Sequence, residues 1–277
     1  MEKHSVLIAD SGSTKTDWAF MGKRVQTQGI NPFHQDEDTI RSILKEELLP
    51  QLTSDITHLT SILFYGSGAR PELEEKMQRL LQEVFPQAEH IEAHGDLLGA
   101  ARALCGHQEG IACILGTGAN SCLYDGERIV ENTPPMGYIL GDEGSGAVLG
   151  VRFLNALYKN RLSNDVKAAF EAFTEMSMAQ VIERVYRQPM ANRWLASLSK
   201  FIHQQIENPQ IEQLVIDNFR DFIQRNIAPY QRRDLPINAV GSIAFYYQQQ
   251  LEKAVKAEGY TLGKIVRSPL DVLVEME

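Results

Sequence analysis

Residues Asp10 to Trp18 read DSGSTKTDW, and residues Leu115 to Tyr124 read LGTGANSCLY. Each stretch follows an apolar run, VLIAD in the first case and IACIL in the second, and each leads into another short run, TDWAF or SCLYD. The pattern predicts a strand, a Gly-Ser/Thr turn and a second strand, twice over. Glycine at such a turn lets backbone N–H groups and hydroxyls approach a polyanion with no Cβ in the way. Hydrogen bonds to a charged acceptor are worth about 1.5 to 3 kcal/mol each. The turn residues Gly12, Ser13 and Thr14, and Gly116, Thr117 and Gly118, are therefore candidate phosphate contacts. Either turn alone also reads as an ordinary glycine hairpin, and it is the repetition that points to nucleotide phosphates. Asp10 ends the first strand, and a carboxylate beside a phosphate cradle implies magnesium, held through water. Lys15 is either a phosphate contact or a solvated turn tip. No GxxxxGK[ST] occurs and no GxGxxG opens a helix after the first strand, which excludes the P-loop and Rossmann devices.

The chain has 277 residues, 43% hydrophobic and 23% charged, enough for two domains that each bury a core. Its formal net charge of −9 makes nucleic acid and acidic membrane surfaces poor partners and suits a small-molecule substrate. MEKHSVLIAD runs straight into a strand with no leader-like apolar core, and no run has the length of a membrane span. Cys105, Cys113 and Cys122 show no CxxC spacing, and buried reduced thiols in a cytoplasmic protein are expected.

Strands are predicted at 4–9, 16–21, 25–30, 59–65 and 90–93, with helices at 36–52, 71–84 and 96–104. The plan restarts at Ile111 with strand, hairpin, strand and a third strand near 128–131. Residues 163–233 read as almost wholly helical, an insertion or lid packed on the second domain, before strands at 236–240 and near 264–267. This gives an N-terminal domain over 1–106 and a C-terminal domain over 107–267, with the tail, 268–277, a candidate to return to the first.

Other polar clusters sit at strand ends, the edge where open α/β sheets bind ligands. Asp96, in HGDLLGAARAL, is a candidate catalytic acid or a helix N-cap. PPMGYILGDEGSGAVLG, Pro134 to Gly150, is rich in glycine and holds adjacent carboxylates; Asp142 could cap the next helix, but Gly137, Gly141, Gly144 and Gly146 imply close backbone approach to a ligand. Asn31 and His34 in GINPFH, Ser67 in YGSGAR, and Gly241 with Ser242 in VGSIA occupy further edges.

The paired hairpins resemble the phosphate 1 and phosphate 2 motifs of the actin, hexokinase and Hsp70 ATPase superfamily. Together with GINPFH, the Asp96 turn, GYILGDEGS and VGSIA, they are similar to N-acetylglucosamine kinases and the wider BadF/BadG/BcrA/BcrD-type ATPase family, along nearly the whole chain. The resemblance implies an α/β, two-domain actin-like ATPase (ribonuclease H-like) fold with mixed sheets. It implies ATP and Mg2+ as cofactors, with Thr14, Lys15, Thr117 and Gly118 on phosphates, Gly241 and Ser242 near the adenosine, and Asp10 organising magnesium. Asp96 would be the base at the sugar hydroxyl, O6 of N-acetylglucosamine, with Asn31, Ser67, Gly137, Tyr138 and Asp142 on the sugar. Tyr138 departs from the Trp of some eukaryotic relatives. The oligomeric state stays open, a homodimer being frequent among relatives. Two rival readings share the superfamily: an ATPase activator whose cysteines hold an iron–sulfur cluster, and a sugar sensor without catalysis.

Overall fold

The computed structural model describes residues 5–12 and 14–276, and for 53–55 the backbone alone. The chain divides into two compact units, Met1–Gly106 with Ser268–Glu277, and His107–Arg267. The first holds a five-stranded sheet of β1 (Val6–Ser11), β2 (Lys15–Phe20), β3 (Lys23–Gln28), β4 (Ser61–Gly66) and β5 (His90–Gly95), in the order β3-β2-β1-β4-β5. β1 to β3 form an antiparallel meander, whereas β4 and β5 run parallel to β1.

β1 is apolar on successive residues because helices cover both faces of this sheet, and strand side chains alternate between faces. Leu7 and Ala9 enter a core with Trp18, Phe64, Ile40 and Leu80, while Ile8 enters a second core with Tyr65, Ala103, Leu270 and Leu273. The tail thus belongs to the first unit, where helix Pro269–Met276 packs on helix Asp96–Cys105 and Asp271 pairs with Arg24 of β3 at 2.5 Å. The helix expected over 36–52 begins at Glu37 behind an Asp36 cap and widens over Ile43–Leu48, where the N–H of Leu49 donates to the carbonyl of Leu44. Pro50 has no N–H for the turn before it, and the wider turn accommodates this.

The second unit repeats the plan with β6 (Gly110–Leu115), β7 (Ala119–Tyr124), β8 (Ile129–Glu131), β9 (Ile237–Val240) and β10 (Leu262–Val266), ordered β10-β9-β6-β7-β8. Again the first three are antiparallel and the last two run parallel to the first. The helical stretch lies between β8 and β9. Helices Asn164–Thr174, Met178–Tyr186, Ala191–Ser197, Ser199–Gln204 and Pro209–Phe222 pack around Phe153, Phe170 and Phe201, whose ring centroids lie 5.1 to 5.6 Å apart. Among the described residues no helix is long and apolar enough to cross a membrane.

Helix Gly146–Tyr158 crosses helix Ala191–Ser197 at Gly150, where a Cβ would stand 2.3 Å from the Leu195 carbonyl oxygen. Alanine gains up to about 1 kcal/mol of helix propensity over glycine, but this clash is with backbone and overpacking costs about 1 to 3 kcal/mol. Gly150→Ala is therefore expected to lower the urea midpoint of unfolding, and an unchanged midpoint would show that the crossing has room to spare.

Candidate active site

In the first unit the turn after β1 closes by a hydrogen bond from the Gly12 N–H to the Lys15 carbonyl at 3.0 Å. Beneath it, the buried hydroxyls of Ser11 and Thr16 lie 2.6 Å apart, and Ser11 Oγ both donates to the Ile30 carbonyl and accepts from its N–H. These two hydroxyls knit β1, β2 and the end of β3, and so hold the turn's shape. Thr14 is exposed, and Lys15 is an exposed cation paired with Asp17 at 2.7 Å; Ser13 lies outside the described residues.

Asp10 stands opposite Asp17 across the strand pair. Burial first, then the charges of Asp96 and Asp17, push its carboxyl up to about 7, while Lys15 and a hydrogen bond from the Ser268 hydroxyl work the other way. Ser268, the first residue of the returning tail, was invisible as a site residue in the sequence, because only the fold brings it to β1. A carboxylate that burial and like charges disfavour is a suitable hard-oxygen donor for magnesium, since a dication reverses that balance.

Asp96 begins the helix after β5. Its N-cap is Gly95, which leaves Asp96 in the first turn, where the helix dipole favours an acid. Capping therefore does not account for its side chain. Burial raises its carboxyl to about 6, against the backbone N–H groups of Leu97 and Asp96. The neighbouring strand ends converge: a Cβ on Gly95 would touch the Ala69 carbonyl at 3.4 Å, and one on Gly68, at φ +78°, would meet Asn31 Oδ1 at 2.1 Å. Asn31 Oδ1 accepts from the N–H groups of Phe33 and His34, and Ser67 Oγ is buried without a hydrogen-bond partner among the described residues. Asn31, Ser67 and Asp96 thus occupy adjacent loops, and an orphaned hydroxyl there fits a polar ligand.

The second unit assembles the other candidates. The N-terminus of helix Gly146–Tyr158 donates from Gly146 N–H to the Gly116 carbonyl at 2.8 Å and from Ala147 N–H to the Thr117 carbonyl at 3.1 Å. With these carbonyls engaged, the turn's remaining donors are the N–H groups of Thr117 and Gly118 and the Thr117 hydroxyl. Gly241, at φ +119°, comes so close that a Cβ would stand 2.4 Å from the Leu115 carbonyl oxygen, so VGSIA packs directly on this turn. Ser145, and not Asp142, caps the helix, accepting from Val148 N–H. Asp142 sits instead at φ +54°, 3.0 Å from where Gly118 would carry a Cβ. Burial raises its carboxyl to about 6, against hydrogen bonds from the Ala119 and Gly137 backbone, with Glu143 adding to the rise. Non-glycine residues at positive φ concentrate at functional loops, and here Met136 joins Asp142 around the short helix Gly137–Leu140, with Tyr138 half-buried on the core.

Cys113 and Cys122 are buried on adjacent strands, but Cys122 faces Ala112 and Cys113 faces Ser121 across the pair. They therefore point to opposite faces of the sheet and cannot share a cluster.

Two units of one strand order, each with a glycine-rich hairpin leading its sheet, define an actin-like ATPase fold. The sequence matches no protein-family model, and no curated protein matches it. Among solved structures, a proposed N-acetylglucosamine kinase from Porphyromonas gingivalis is 47% identical, with a TM-score of 0.94 over 98% of this chain and 97% of that one. A second proposed N-acetylglucosamine kinase, from Chromobacterium violaceum, shares the fold at 16% identity, with a TM-score of 0.71 and 98% of each chain covered. So does a ROK-family glucokinase from Streptomyces griseus in complex with glucose and AMPPNP, at 12% identity and a TM-score of 0.56 over 95% of each chain. The chain belongs to the N-acetylglucosamine kinase-like family of sugar kinases within the actin-like ATPase superfamily.

The raised carboxyls carry a stability consequence. Asp96 titrates near 6 when folded against an ordinary 3.8, so the folded chain holds the extra proton. The stability this confers is complete below about pH 4 and is lost as pH rises through 6. Asp96→Asn removes the buried charge and is expected to be more stable than the wild type at pH 8, by on the order of 2 kcal/mol, with the gain vanishing near pH 4. Urea unfolding at both pH values checks this; a variant less stable at pH 8 would contradict the assigned burial cost.

Proposed function

We propose that the chain transfers the γ-phosphoryl group of ATP to O6 of an amino sugar, with N-acetylglucosamine the foremost substrate, in a magnesium-dependent reaction with Asp96 as general base. The observation that carries this reading is the Asp96 carboxylate, desolvated at the end of β5 beside the Ser67–Ala69 loop, which in turn meets Asn31, and raised to about 6. A base whose affinity for a proton lies near the working pH serves both halves of a proton transfer. Phosphoryl transfer asks a protein chiefly for positioning and charge stabilisation. Thr14, Lys15, Thr117 and Gly118 would hold phosphates, and Gly241 with Ser242 would bound the adenosine. Asp10 would hold magnesium through water, and the bound metal would neutralise charge on the phosphates. Asn31, Ser67, Gly137, Tyr138 and Asp142 would orient the sugar. The names of the Porphyromonas and Chromobacterium proteins support the amino sugar, and the dependence on ATP fits the cytoplasmic setting expected from the sequence.

Asp96→Asn is expected to fold and to bind N-acetylglucosamine with little change by calorimetry, while kcat falls about 10²- to 10⁴-fold; full turnover in this variant would remove Asp96 from the reaction. EDTA is expected to abolish ADP release from the wild type and added Mg2+ to restore it, and activity persisting in EDTA would exclude the role given to Asp10.

A further inference from the structure

Helix Pro209–Phe222 continues through a wider turn at Ile223–Ile227, where the N–H of Ala228 donates to the carbonyl of Ile223, and then a tighter one at Ala228–Tyr230. A turn closed from five residues on takes more residues per revolution than the roughly 3.6 of an α-helix, so residues four apart drift less around the axis. Asn218, Phe222, Asn226 and Tyr230, all buried, therefore keep to one face. That face meets the GDEGS loop, Gly141 to Ser145, residue by residue. Asn218 Nδ2 donates to the Ser145 carbonyl at 3.3 Å, a Cβ on Gly144, at φ +82°, would stand 2.8 Å from Phe222 Cβ, and Asn226 Nδ2 donates to Glu143 Oε2 at 3.2 Å.

The same face holds the start of this segment. Thr133 Oγ donates to the Asn226 carbonyl at 3.0 Å and Thr133 N–H to Tyr230 Oη at 3.0 Å, while Ser121 Oγ, on β7, lies 2.8 Å from Tyr230 Oη. Asn226 thus grips the segment at both ends, with its carbonyl at Thr133 and its side chain at Glu143. Between those ends Asp142 N–H donates to the Pro135 carbonyl at 2.8 Å and Gly141 N–H to the Gly137 carbonyl at 2.7 Å, and Met136, Ile139 and Leu140 are exposed. The Glu143 side chain is only 16% exposed, whereas its other partner, Arg225 at 3.6 Å, is 68% exposed. An ion pair open to solvent contributes little, which leaves the Asn226 amide as the anchor of this carboxylate.

We propose that Asn226 is a positioning residue for the sugar: through Glu143 it fixes the loop that carries Gly137, Tyr138 and Asp142, and so sets the affinity for a substrate that it does not touch. This rests on the reading above that those three residues orient the sugar. A loop already held in its binding conformation has less order left to lose when the ligand arrives.

The test reverses the hydrogen bond. Asn226→Asp sets one carboxylate against another, and adding Glu143→Gln restores a donor and an acceptor, now pointing the other way, at nearly the same shape. In a coupled ADP-release assay with the full chain, Asn226→Asp is expected to raise KM for N-acetylglucosamine roughly tenfold or more with KM for ATP little changed, and the double variant to recover most of the loss. Glu143→Ala, which leaves the buried Asn226 in place should Asn226→Asp fail to fold, is expected to raise the same KM. A sugar KM unmoved in the single variants, a rise in both KM values together, or a double variant no better than Asn226→Asp would overturn the proposal. Amide hydrogen exchange of residues 134–142 reads the anchor without turnover: it is expected to quicken in Asn226→Asp and Glu143→Ala and to slow again in the double variant, and unchanged exchange would sink the anchoring. If the wild type turned over no amino sugar, the kinase reading would itself fail, and exchange would still decide whether Asn226 holds the loop.

Discussion

Three carboxylates, Asp10, Asp96 and Asp142, are half-buried at the ends of strands or in the loop beside one, and burial is the largest cause of the rise in each. A buried charge without a full set of partners opposes folding, so these side chains persist only because the surrounding sheets are stable without them. The first unit provides that stability from both faces of its sheet, one core around Trp18 and Phe64 and another around Tyr65 and Leu270. The second provides it through the aromatic cluster of Phe153, Phe170 and Phe201 beneath helix Gly146–Tyr158. That helix is the element whose N-terminus meets the Thr117 turn, so packing within the helical stretch and the geometry of that turn are linked through one rigid body.

Close backbone approach is the other constraint, and glycine is where it is met. Gly241 against Leu115 and Gly68 against Asn31 leave no room for a Cβ. Each brings a polar loop within reach of its neighbour, so that donors from separate strands present themselves together. Elsewhere hydroxyls do this work. Ser11 and Thr16, which in the sequence are simply part of a Ser/Thr-rich turn, turn inward and satisfy the backbone of Ile30. The exposed residues of the same turn, Thr14 and Lys15, are left facing outward.

Much of the architecture was legible because it is written in local chemistry. Two apolar runs around a glycine turn read as a hairpin wherever they occur, and helix 71–84 announces itself by Pro71 at its start and apolar residues on one face. Asp96 and Asp142 stood out as acids beside glycines, but their environments did not. Each is excused from capping by a neighbour, Gly95 in one case and Ser145 in the other, and which residue caps depends on where the preceding strand or loop ends in space. Ser268 beside Asp10 and Asn226 beside Glu143 join residues far apart in the chain, and no periodicity records such a meeting.

By itself the sequence determined the repeated strand–turn–strand plan, the helical stretch within the second half and the positions of the acids, since alternation of apolar residues and the steric freedom of glycine act over a few neighbouring residues. Only the tertiary structure decided which acids lose their water, which hydroxyls serve the fold and which are left to meet a ligand, and that the tail returns to the first sheet. Those outcomes depend on desolvation and on contacts between distant segments, and both are set by packing that exists only once the sheets have formed.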